Sequence, residues 1–112
     1  DYIDAAYRAG VRTFVVGLDF FPDKRWYEGS FIAVAQPLLA MQAVAAWHRQ
    51  KFHLPVVGIT GSNGKTVVKD WLSWLLELDK QVCRSPKSYN SQIGVPISVW
   101  QLDAQDDMGI FE

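Results

Sequence analysis

Gly58-Ile59-Thr60-Gly61-Ser62-Asn63-Gly64-Lys65-Thr66 is the stretch on which the reading of this 112-residue sequence turns. Residues 56–59 lead into it as a short apolar run, which predicts the end of a buried strand. A helical pattern follows at once. Strand, glycine-rich turn, Lys-Thr and helix, in that order, is the physical recipe for holding a polyphosphate. Glycines let backbone N–H groups crowd around anionic oxygens with no Cβ in the way. The helix start adds unpaired N–H groups and the positive end of its dipole. In that arrangement Gly61, Ser62, Asn63, Gly64, Lys65 and Thr66 would cradle the phosphates of a polyphosphate ligand. Lys65 is the catalytic cation at the β- and γ-phosphates, and the Thr66 hydroxyl ligates Mg²⁺.

The general P-loop pattern has a glycine five residues before its last one, and Ile59 holds that position here. An ordinary glycine-rich turn with an exposed lysine is the plain alternative. The apolar run before it and the amphipathic run after it favour the phosphate reading.

Downstream, residues 65–78 predict a long helix. Val67, Val68, Trp71, Leu72, Trp74, Leu75 and Leu78 cover more than half its circumference. Such breadth predicts a helix packed between a sheet and a neighbour, with both tryptophans in the core. Residues 81–84 read as a strand with Cys83 as a small buried hydrophobe, and Pro86 ends it. Residues 87–92 read as a polar turn. Residues 93–102 read as a helix with Pro96 in its first turn, and 103–107 as an acidic turn. Residues 108–111 then form an apolar run ending at Glu112. A buried strand with a carboxylate at its tip is the Walker-B arrangement, which makes Glu112 a second Mg²⁺ ligand. A solvated glutamate is the alternative.

Upstream, residues 1–10 predict a short helix with Ile3, Ala6 and Tyr7 on one face, stopped by Gly10. Residues 13–16 and 31–34 read as strands, and 19–30 as a surface loop. Pro37 opens a helix running to about residue 51, with Leu38, Met41, Val44, Ala45 and His48 near one stripe. Pro55 forbids its continuation. His48 and His53 read as helix-end or solvated side chains.

Net charge is −1 with no clustered basic face, which argues against nucleic acid as a partner. No apolar run approaches the roughly 20 residues of a membrane span. Hydrophobic content of 49% and charged content of 21% are those of a globular chain. Cys83 is the single cysteine, so no internal disulfide or cysteine-based zinc site is available; that fits a reducing cytoplasm. The length suits one small domain. The chain starts at Asp1 and ends directly after an apolar run, so the expectation is an internal piece of a longer protein.

At this point the sequence resembles the Mur ligase family. Residues 58–66 are similar to that family's ATP loop, including the glycine placement that departs from the general pattern. Asn90-Ser91-Gln92-Ile93-Gly94-Val95-Pro96 resembles the segment marking the members that take D-alanyl-D-alanine, although Ser91 and Gln92 stand where Asn and Glu are commoner. Residues 1–16 resemble the end of the family's N-terminal uridine-nucleotide domain. Pro37 to Trp47 resembles the helix leading into the ATP domain, with Gln36 in place of a capping Asp. Ala46-Trp47-His48-Arg49 is also similar to versions fused to an alanine racemase. The resemblance spans the whole chain and is specific at two motifs.

The resemblance implies an α/β fold: a partial P-loop parallel sheet with flanking helices, preceded by the tail of an α/β uridine-nucleotide domain. Residues 1–36 would end the UDP-MurNAc domain, 37–54 would be a connecting helix, and 55–112 would begin the central ATP domain. It implies an enzyme of peptidoglycan precursor synthesis in the cytoplasm, using ATP and Mg²⁺ to join D-Ala-D-Ala to UDP-MurNAc-tripeptide through an acyl phosphate. Asn90 carries over as a polar contact on the substrate side. The chain alone would be inactive and would self-associate. Two other enzyme readings stay open: a folylpolyglutamate-synthase-like ligase, and an unrelated P-loop kinase or NTPase.

Overall fold

The computed structural model describes residues 2–112; Asp1, included in the expected first helix, lies outside them. The chain divides into two compact units, Asp1–Ala40 and Met41–Glu112.

In the first unit, helix α1 (Tyr2–Arg8) half-buries Ile3, Ala6 and Tyr7, the face expected. Strands β1 (Thr13–Gly17) and β2 (Ser30–Val34) pair in parallel, Thr13 opposite Ser30 and Gly17 opposite Val34. The segment between them is more than a surface loop. Asp23 caps a single 3₁₀ turn, Lys24–Trp26, by accepting from the Arg25 N–H. That turn buries Trp26, whose Nε1 donates to Asp4 Oδ1 at 3.2 Å. Phe31 stacks on Phe14 and on Phe20, with centroids 5.2 and 5.5 Å apart. Aromatic area, which charge-rich flanks masked in the sequence, sets this segment's conformation.

Helix α2 (Pro37–Arg49) spans the unit boundary. Within it Leu38, Met41, Ala45 and His48 are buried or half-buried at the expected spacing, whereas Val44 is exposed. The second unit holds a three-stranded parallel sheet of order β3-β5-β4: β3 is Val56–Gly58, β4 Val82–Arg84 and β5 Met108–Phe111. Central β5 is buried throughout. β3 was expected to be buried, but as an edge strand with one neighbour it leaves Val56 38% exposed. Cys83, Leu102 and Phe111 form the core cluster, with Phe52, Leu54 and Val99 against it. Helix α4 (Gly94–Val99) is shorter than expected; turns from Trp100 to Leu102 follow, and Leu102 is carried into the core.

Helix α3 (Lys65–Leu76) overturns one expectation outright. Trp71 and Trp74 are 67% and 59% exposed, and Val67, Val68, Leu75 and Leu78 also face outward. The buried face carries Lys69 and Ser73, with Thr66, Leu72 and Leu76 half-buried beside them. The reason lies at the tip of β5. Glu112 is buried there, and a buried carboxylate needs polar partners. Turning the tryptophans inward would remove the hydroxyl and the ammonium that meet it.

Candidate functional site

β3 delivers the chain into the glycine-rich turn, and the Ile59 N–H donates to the Phe111 carbonyl at 2.8 Å, tying the start of the turn to β5. The turn closes at Gly64, the N-cap of α3, with φ 77° and ψ 0°. A Cβ there would be strained, so glycine is required by conformation. Residues 61–64 are exposed, and Lys65 and Thr66 half-buried. Lys65 Nζ donates to the Gly61 carbonyl at 2.7 Å.

Thr66 and Glu112, 46 residues apart in sequence, meet here. The Thr66 hydroxyl lies 3.1 and 3.0 Å from the two carboxylate oxygens of Glu112 and 3.2 Å from Ser88 Oγ. It has one proton. With that proton donated to the carboxylate, Ser88 becomes the donor to Thr66. Lys69 completes the cluster: Nζ lies 3.4 Å from Glu112 Oε1, and the two side chains are 1% and 0% exposed. The same ammonium donates to the Lys87 carbonyl.

The donor set of Thr66, Ser88 and Glu112 is all oxygen, which fits a hard cation such as Mg²⁺. Among the described residues no group of three His, Cys, Asp or Glu side chains gathers. One carboxylate and hydroxyls suit an ion whose remaining ligands are water and phosphate.

Asn90 lies two residues beyond Ser88. It is exposed, its N–H donates to the Ser88 carbonyl at 2.9 Å, and it lines a cleft of about 510 Å³ with Gln42, Ala45, Arg49, Val95 and Val99. Ser62 and Asn63 present themselves to solvent. His48 has a structural setting: Nε2 lies 2.8 Å from the Leu102 carbonyl, and the ring centroid is 5.0 Å from that of Phe52 and 4.4 Å from that of Trp100. His53 is exposed.

Sequence reasoning missed Lys69 and Ser88. Lys69 had a signal, because it lies three residues after Thr66 and so on the same helix face, opposite the apolar stripe. Ser88 had none, lying within an ordinary polar turn.

The fold is that of a parallel α/β protein with its polar cluster at the carboxyl ends of the strands. The chain matches no protein-family model. It is 38% identical over 79 residues to the UDP-N-acetylmuramoyl-tripeptide–D-alanyl-D-alanine ligase of Synechocystis, covering 70% of this chain and 17% of that protein. It is 39% identical over 82 residues to the ligase of the same name from Treponema pallidum, covering 72% and 18%. The crystal structure of MurF ligase from Thermotoga maritima in complex with ADP superposes with a TM-score of 0.80 at 27% identity, over 100% of this chain and 25% of that one. MurF from Acinetobacter baumannii shares the fold, with a TM-score of 0.86 at 24% identity over 99% of this chain and 24% of that one. Over most of its length the chain is similar to one stretch of the Mur ligases named for adding D-alanyl-D-alanine. It spans less than a fifth of the length of these curated relatives.

Proposed function

We propose that this chain forms the ATP-phosphate and Mg²⁺-binding segment of an amide ligase of peptidoglycan precursor synthesis. The ligase joins D-Ala-D-Ala to UDP-MurNAc-tripeptide through an acyl phosphate. The observation that carries the reading is the meeting of Thr66 with Glu112 directly behind the loop of Gly61, Ser62, Asn63, Gly64 and Lys65. Likeness to ligases named for D-alanyl-D-alanine addition, and to a MurF ligase solved with ADP, supports it.

In this reading residues 58–66 are the P-loop. Its exposed backbone and the start of α3 bind the ATP phosphates. Lys65 leaves the Gly61 carbonyl and places its ammonium on the transferring phosphoryl group, where positive charge lowers the barrier most. Thr66 and Glu112 hold Mg²⁺, which when bound neutralises phosphate charge. Asn90 faces the substrate side. Residues 1–36 end a UDP-MurNAc-binding domain, 37–54 connect, and 55–112 begin the ATP domain, all acting in the cytoplasm. The 112 residues alone are inactive in ligation and associate with further copies through the outward face of α3.

The test is ligation by the full-length protein. Incubation with ATP, Mg²⁺, UDP-MurNAc-tripeptide and D-Ala-D-Ala should yield the pentapeptide product by mass spectrometry, with phosphate released in equal amount. Glutamate addition to a folate instead would reassign the substrate; ATP hydrolysis with no amide product would remove the ligase reading.

A further inference from the structure

Lys69 is a lysine in a place that stability does not explain. Replacing a buried ion pair by apolar side chains is commonly neutral or favourable. Yet here a lysine faces the sheet while two tryptophans on the same helix face outward. Its ammonium touches two groups, Glu112 Oε1 and the Lys87 carbonyl. The Lys87 backbone is in the left-handed region, with φ 50°, a sparsely populated conformation for a residue with a side chain. Its carbonyl therefore meets Lys69 at the cost of an unfavourable turn. One residue further on, Ser88 reaches Thr66.

We infer that Lys69 is a positioning residue: its buried ammonium fixes the Glu112 carboxylate opposite Thr66 and ties the turn at Lys87 and Ser88 to the same acid. The inference rests on the proposed role of Glu112 as a metal ligand. Oε1 is shared between Lys69 and Thr66, while Oε2 meets Thr66 alone. The carboxylate thus cannot rotate away, and Oε2 keeps free lone pairs on the Thr66 side. Lys69 is not a phosphate ligand, because its side chain is 1% exposed and both its contacts are internal. Groups that orient a metal ligand in this way affect metal affinity about 10–100-fold when removed.

The experiment uses the full-length protein with Mn²⁺ as a paramagnetic substitute for Mg²⁺, titrated in the presence of ADP and read by electron paramagnetic resonance. Lys69→Met, Glu112→Gln and the double variant are compared with the wild type. Lys69→Met should weaken Mn²⁺ binding about 10-fold or more on that scale. The double variant should bind Mn²⁺ no more weakly than Glu112→Gln alone, because Lys69 acts through Glu112. Metal-free ADP affinity should be unchanged in Lys69→Met. A folded Lys69→Met protein with wild-type Mn²⁺ affinity overturns the inference and leaves the role of Glu112 standing. So does loss of metal-free ADP binding, which would make Lys69 a phosphate ligand. Unchanged Mn²⁺ affinity in Glu112→Gln removes the underlying role and the inference with it. Should Lys69→Met not fold, wild-type protein labelled with ¹⁵N-lysine decides. A Lys69 ammonium signal protected from solvent exchange, and lost in Glu112→Gln, supports the pair; a rapidly exchanging one overturns it.

Discussion

Lys65 Nζ donates to the carbonyl of Gly61 at 2.7 Å, so the cation of the turn rests on the turn's own backbone. A neutral carbonyl is a weaker partner for an ammonium than an anionic oxygen. Under the proposed function, a phosphate arriving at the exposed backbone of residues 61–64 would therefore take the ammonium from Gly61.

Lys65→Ala should abolish ATP-dependent ligation in the full-length protein and leave the fold intact. The substitution removes an exposed hydrogen bond to a carbonyl, which adds little to stability. Phosphate release should fall by about 10³-fold or more, the scale of a cation at a transferring phosphoryl group. Circular dichroism and a thermal melt should match the wild type. Near-normal turnover in a folded variant would remove Lys65 from the mechanism.

Thr66→Ala and Glu112→Gln should each raise the Mg²⁺ concentration needed for half-maximal activity, because both side chains are proposed to act through one ion. Thr66→Ser, which keeps the hydroxyl, should stay near the wild type. A magnesium titration of initial rates reads all three. An unchanged midpoint for Glu112→Gln would take the strand-end acid out of the metal shell.

Gly94→Ala should destabilise the protein. Alanine in place of a helical glycine normally adds about 1 kcal/mol. At Gly94 a Cβ would come within 2.9 Å of the Tyr89 carbonyl carbon and 3.0 Å of its Cα. Backbone cannot yield as a side-chain tip can, so an overpacking cost of about 1–3 kcal/mol outweighs the propensity gain. A urea melt should show a lower midpoint with unchanged slope. A higher midpoint would mean that residues 89–91 shift freely.

Much of this structure was legible because local patterns met no opposition. β5 lies where an apolar run between an acidic turn and Glu112 put it, and α2 starts at the proline that suits a first turn. The meeting of Thr66 with Glu112 was anticipated because sites in parallel sheets gather at strand ends. The orientation of α3 was not legible. Its apolar stripe is broad, and hydrophobicity alone points such a stripe at the sheet. What decides is the buried carboxylate of Glu112, whose need for Thr66 and Lys69 lies 46 and 43 residues away in sequence. Trp26 was missed for the opposite reason: one aromatic among charged and turn-forming neighbours has no periodicity to reveal its burial.

Cys83 should resist alkylation until the chain unfolds. Burial, with Asp106 and Asp103 nearby, pushes its thiol up to about 11 from an ordinary value of 9.0. The thiolate is the reactive form, so at pH 8 little is present in the folded state. The raised value also fixes the sign of the pH dependence. The contribution to stability is complete below pH 9 and is lost as pH rises through about 11. Iodoacetamide labelling at pH 8, followed by mass spectrometry, should be slow in buffer and fast in urea. Rapid labelling of the folded chain would contradict the burial.

Isolated, the 112 residues should self-associate through α3, and polar substitutions on its outward face should reverse this. Val67, Val68, Trp71, Trp74 and Leu75 recur at helical spacing and fall on one side of α3, and Leu78 is exposed in the turn that follows it. Trp71 and Trp74 alone are 67% and 59% exposed. A contiguous apolar stripe of this kind favours contact with another surface. The sheet adds a second route, because β3 and β4 are both edges with unpaired backbone groups on one side. The two routes respond differently to mutation. Trp71→Gln combined with Trp74→Gln removes the largest exposed rings without touching Thr66, Lys69 or Ser73 on the opposite face. If α3 is the contact, light scattering should show the mass falling toward one chain in that double variant, at unchanged helix content. If the edges are the contact, the mass should persist, and a lysine at Val56 in β3 should lower it instead. A wild-type chain that is monomeric at high micromolar concentration would refute self-association by either route.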